Sequence, residues 1–116
     1  MRNDMKAKST LFEHSFVQRQ VLEAMKKTEY FERFYEEIKL YFLHSYLYET
    51  LLFAAKRKIY IDYKEFTPLA QFALGKYEDI DNSPYSTYIP KQMELYKLIK
   101  HEFTMESYNR YFNSLR

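Results

Sequence analysis

A chain of 116 residues with no cysteine and a formal charge of +2 has the size of one domain, long enough to bury a core without disulfide staples. The missing cysteines exclude thiolate metal sites and cysteine nucleophiles, and 18 basic against 16 acidic side chains give no strong field toward nucleic acid or anionic lipid. One glycine beside 13 Tyr and 10 Phe argues against phosphate-cradling loops and against a fold rich in tight turns, so a mostly β protein is disfavoured.

The opening residues, MRNDMKAK, are polar and are expected to be disordered. They contain no apolar run of the kind a signal peptide needs, so a cytoplasmic location is expected. Thr10 followed by Glu13 has capping-box spacing, and Phe12, Phe16, Val17, Val21 and Met25 then recur at helical intervals. Thr28 is read as the cap of a long second helix over 29–58. Its start is acidic (Glu29, Glu32, Glu36, Glu37) and its end is basic (Lys56, Arg57, Lys58), matching the helix dipole at both ends. Within it, the uncharged run from Leu40 to Tyr48 is too short for a membrane span, so the helix reads as one buried among others. Phe42, Leu43, Leu47, Leu51, Leu52 and Phe53 are its expected core anchors.

Residues 59–66 (IYIDYKEF) alternate like a short strand but have no partner strand, and are read as an extended connector. Thr67 and Pro68 predict a third helix over 68–74, closed by Gly75 in a left-handed conformation. A turn-rich stretch, 76–90, follows. Pro90 opens a fourth helix carrying Met93, Tyr96, Ile99 and Phe103, and Thr104 caps a last segment with Tyr108, Phe112 and Leu115. The fold class is therefore all-α: a single helical domain over 1–116, a small bundle of four or five helices around the long central one.

Catalytic and metal motifs are searched for in turn. HEFTM (101–105) places Met105 where a zinc-protease motif needs its second histidine. Asp79, Asp81 and Ser83 have calcium-loop spacing, but prolines stand at the required glycine and glutamate positions. His14 and His101 are expected to be exposed, and His44 to be a satisfied core histidine. No serine elbow, phosphate loop or dinucleotide motif is present. Neither metal nor cofactor is predicted, and the chain reads as a non-enzyme.

Two functional classes follow. The first is a small protein-binding module, a regulator, inhibitor or immunity-type factor that occupies the surface of a partner protein; Tyr85, Tyr88 and Ile89 in NSPYSTYIP are its expected anchors. The abundance of residues with AT-rich codons makes a low-GC bacterium, or a phage or plasmid of one, the source expected from composition. A homodimer is expected from the surplus apolar surface of the second helix. The alternative is a nucleic-acid-binding accessory protein that uses Lys56, Arg57 and Lys58. An apolar ligand held between the helices is a third, weaker class.

Overall fold

The computed structural model describes the backbone of residues 2–76, 80 and 83–116, and the side chains of all of these except 2–4 and 76. Seven α-helices are found among these residues, and no strand. They are α1 (Arg2–Lys26), α2 (Tyr30–Arg33), α3 (Tyr35–Phe42), α4 (Glu49–Lys56), α5 (Tyr63–Lys76), α6 (Pro90–His101) and α7 (Met105–Ser114). A π-helical turn, Leu43–Tyr48, joins α3 to α4, and a 3-10 turn, Ser86–Tyr88, precedes α6. The all-α bundle read from the sequence is the fold observed, and no helix among the described residues is long and apolar enough to cross a membrane.

The expected central helix is present as a nearly continuous rod over 30–56. It is not uniform. Phe34 leaves helical geometry (φ −111°, ψ 28°), which separates α2 from α3. The π turn then lengthens the hydrogen-bond step, so that the Glu49 amide donates to the His44 carbonyl. This turn is the hub of the bundle: α1, α5 and α6 all pack against it, while α7 packs on α4 and α5. Phe42, Leu43, Tyr46, Leu47 and Leu51 are buried there, whereas Leu52 and Phe53 remain half-exposed. Phe42 and Tyr46 stack at 4.7 Å, with Phe72 of α5 closing the cluster.

Several local expectations are corrected. Residues 2–8 belong to α1, and Lys8 pairs with Glu65 of α5 at 3.1 Å. Thr10 caps nothing, because its hydroxyl donates to the Lys6 carbonyl inside the helix. The buried face of α1 is Leu11, Ser15 and Leu22, which leaves Phe16 and Val17 on the surface. Ser15 is admitted to the interior by its 2.7 Å hydrogen bond to Thr50. Thr28 closes α1 through a bond to the Met25 carbonyl rather than opening the next helix.

Helix α5 starts five residues before Pro68. Asp62 accepts from the Glu65 amide at 2.8 Å and Glu65 accepts from the Asp62 amide at 3.0 Å, a reciprocal cap with more bonding than Thr67 offers. Pro68 lies inside the helix, and Gly75 is helical with no positive φ. Residues 59–62 form the extended connector, and 63–66 are the first turn of α5. Ile80 and Ser83 are buried, so the stretch read as exposed sends two residues inward; Asp79 and Asp81 lie outside the described residues. Pro90 and Thr104 open α6 and α7 as expected, Thr104 through a reciprocal cap with Ser107.

The C-terminus of α4 closes with paired 6→1 and 5→2 bonds: Ile59 N–H to the Ala54 carbonyl at 2.8 Å, and Lys58 N–H to the Ala55 carbonyl at 3.2 Å. Lys58 occupies the left-handed position (φ 58°) that this closure favours glycine for. Lys58→Gly is therefore expected to stabilise the fold by about 1 kcal/mol, read as a raised urea midpoint. An unchanged or lowered midpoint would show that the lysine side chain compensates for its backbone.

Candidate partner-binding face

Helical spacing puts Phe34, Glu37, Ile38 and Tyr41 on one side of α3. Ile38 turns toward α1, where it forms a closed apolar seam with Val21, Leu22 and Met25, and Tyr41 borders that seam. Val17, one turn before Val21, extends it outward and is exposed. Glu37, also on α3, lies close to the Tyr85 hydroxyl. The nearby Glu37 carboxylate pushes the Tyr85 pKa above its ordinary value. Tyr88 lies beside Tyr85, and the Tyr30 ring sits 6.3 Å from Phe34.

The result is an aromatic face along the outer side of α3, between α1 and the 3-10 turn. Its members are exposed by 53% at Tyr30, 42% at Phe34, 49% at Tyr41, 40% at Tyr85 and 79% at Tyr88. Glu29, Glu32 and Glu37 are exposed among them, and Arg33, 5.3 Å from the Phe34 ring, is the exposed base in this segment. Lys39, next on α3, is fully buried, 3.1 Å from Glu36 and over the Tyr35 ring.

Of the anchors expected from sequence, Tyr85 and Tyr88 lie on this face. Ile89 packs against the core at the start of α6. Tyr30, Phe34 and Tyr41 complete the face, Phe34 at the break between α2 and α3. Lys56, Arg57 and Lys58 lie at the far end of the rod, where Arg116 joins them: Lys56, Lys58 and Arg116 line one shallow pocket with Ala55 and Leu115.

Two of the histidines are engaged with the fold, while His101 is exposed as expected. His14, expected on the surface, is partly buried, and its Nε2 donates to the Ser45 carbonyl at 3.1 Å in the π turn. His44 Nδ1 accepts from Gln92 of α6 at 2.8 Å, which leaves the proton on Nε2, 3.6 Å from Glu49 Oε1. His44 thus holds α6 to the rod through Nδ1, while its Nε2 faces Glu49 within the rod itself. No group of three or more metal-ligating side chains gathers among the described residues. A cleft of about 580 Å³ between α6 and α7 is lined by Glu94, Lys97, His101, Glu102 and Arg110, with both charge signs mixed along it.

The chain matches no protein-family model, no curated protein and no solved structure.

Proposed function

We propose that this chain is a non-enzymatic protein-binding module that acts by occupying a partner's surface through the aromatic face of α3. The observation that carries the reading is the gathering of Tyr30, Phe34, Tyr41, Tyr85 and Tyr88, all solvent-exposed, from two chain segments onto one side of the bundle. Aromatic side chains give large contact area at low entropic cost and dominate interface energetics.

The chemistry of the face points to a partner surface carrying Lys or Arg around an apolar centre. Glu29, Glu32 and Glu37 border the rings, and exposed tyrosine faces attract cations. A symmetric pairing of two copies through this face would set these carboxylates against their own equivalents, so a basic partner is favoured over a homodimer here.

The test is affinity capture on the immobilised full chain, followed by calorimetry with each captured protein after purification. Phe34→Ala, Tyr41→Ala and Tyr88→Ala are each expected to weaken the purified pair about tenfold or more, with weaker binding at high salt. Light scattering on the chain alone completes it. A dimer that Tyr41→Ala converts to monomer would replace the basic partner with a second copy. A captured protein that binds the triple variant as tightly as the wild type would overturn the reading.

A further inference from the structure

The basic cluster at the far end of the rod is more than the dipole complement of a helix terminus. Lys56, Arg57 and Lys58 follow the C-terminus of α4, and Arg116 arrives from the C-terminus of α7. Two helix C-termini present roughly half a negative charge each, so four cations exceed that requirement by about three charges. No carboxylate pairs with any of the four among the described residues. No ion pair among the described residues therefore offsets their mutual repulsion, and Arg57 has the Phe53 ring 5.8 Å away as its contact. Lys58 adds to that repulsion from a left-handed backbone position, where a cationic side chain is kept although glycine would be unstrained.

An aromatic ring completes the set. Tyr60, two residues beyond Lys58, is 40% exposed and rests edge-on against Phe112 at 5.5 Å, while the Arg116 guanidinium lies 5.6 Å from the same Phe112 ring. The Tyr60 hydroxyl bonds to Asn109, which fixes the orientation of the ring. The pocket framed by Lys56, Lys58 and Arg116 has a volume of about 490 Å³ and an apolar floor of Ala55 and Leu115.

We infer that this end of the molecule binds single-stranded nucleic acid, with backbone phosphates on Lys56, Arg57, Lys58 and Arg116 and an unpaired base stacked on Tyr60. Cations beside an exposed, oriented aromatic ring are the two components such strands require. Duplex DNA would need a helix or ribbon that enters a groove, and these cations sit at helix ends around a shallow pocket. An anionic membrane would need apolar side chains to insert beside the cations, whereas the exposed Phe16 and Val17 lie on α1, Tyr41 on α3 and Phe34 between α2 and α3. This inference is independent of the aromatic face and its protein partner.

The experiment is fluorescence anisotropy with a labelled oligothymidine of about 20 nucleotides, titrated with the full-length protein across a salt series. Four phosphate contacts predict a slope of log affinity against log salt near −3, falling to about −1 in the Lys56→Ala, Lys58→Ala, Arg116→Ala triple variant. Tyr60→Ala is expected to weaken binding about tenfold at an unchanged slope. Circular dichroism confirms the fold of each variant. Phe34→Ala with Tyr41→Ala, at the opposite surface, is expected to bind like the wild type.

Absent binding at low salt, or an unchanged slope in the folded triple variant, would overturn the proposal. So would equal or tighter binding of a duplex of the same length, or association only with phosphatidylserine vesicles.

Discussion

Above about pH 10 the protein is expected to lose stability steeply, because buried tyrosines hold their protons in the folded state where the unfolded chain releases them. Tyr46, Tyr108 and Tyr111 are almost fully buried, and burial pushes all three hydroxyl pKa values up. At Tyr46 the nearby Arg19 offsets part of that rise; at Tyr108 and Tyr111 neighbouring tyrosines and acids add to it. A folded pKa above the unfolded value means the contribution is fully present below about pH 10 and is lost as pH climbs toward the folded value. Each tyrosine adds a limiting slope of about 1.4 kcal/mol per pH unit, so three give about 4 kcal/mol per unit.

Urea unfolding followed by circular dichroism between about pH 8 and 11.5 reads this directly. A midpoint level to about pH 9.5 and falling beyond is expected, with the fall shallower by about a third in Tyr111→Phe. The comparison with Tyr111→Phe separates tyrosine ionisation from the lysines that titrate over the same range. If the two proteins track each other at every pH, burial of Tyr111 is not what limits alkaline stability.

Leu47→Ala is expected to cost about 3–5 kcal/mol, a large share of the total stability of a small domain. Leu47 is fully buried in the π turn, against which three other helices pack, so no single neighbour can shift to fill the space. Leu52→Ala, one turn and a half further on, removes the same atoms from a half-exposed position and is expected to cost about 1 kcal/mol. Urea midpoints of the two variants check the difference. Similar losses in both would mean that the π turn is not the hub of the core.

The all-α class and the central rod were legible because their signals are local or strongly periodic. The four or five helices expected are seven among the described residues, since the rod is divided at Phe34 and by the π turn. Pro90 and Thr104 mark helix starts through backbone chemistry that distant parts of the chain do not alter. Helix α5 was misplaced because two start signals lie five residues apart, and the reciprocal Asp62–Glu65 cap prevails over Thr67–Pro68. The apolar stripe of α1 is only partly buried, with Phe16 and Val17 outside, for a non-local reason. Phe12, Phe16, Val17, Val21 and Met25 make the stronger apolar stripe, but the buried face is chosen by Ser15 meeting Thr50, 35 residues away.

The π turn left no mark in the pattern, since Leu40, Leu43, Leu47, Leu51 and Ala54 also fit an ordinary α-helical stripe. Its carbonyls are met by His14 and Ser15, partners that only the folded chain supplies. At the candidate face, Tyr85 and Tyr88 were visible as aromatics in a turn-rich segment. Their approach to α3 follows from the placing of Tyr85 beside Glu37, which brings together segments nearly fifty residues apart. Arg116 could not be assigned to the Lys56–Lys58 cluster from sequence, because nothing local relates the end of α7 to the end of α4.

The rod that runs from Tyr30 to Lys56 separates charge as well as organising packing. Glu29, Glu32, Glu36 and Glu37 lie at one end and Lys56, Arg57 and Lys58 at the other, in a molecule whose longest dimension is 45 Å. A net charge of +2 conceals this. In the field of any charged body the molecule experiences a torque before contact, and it approaches a cationic surface and an anionic one with opposite ends.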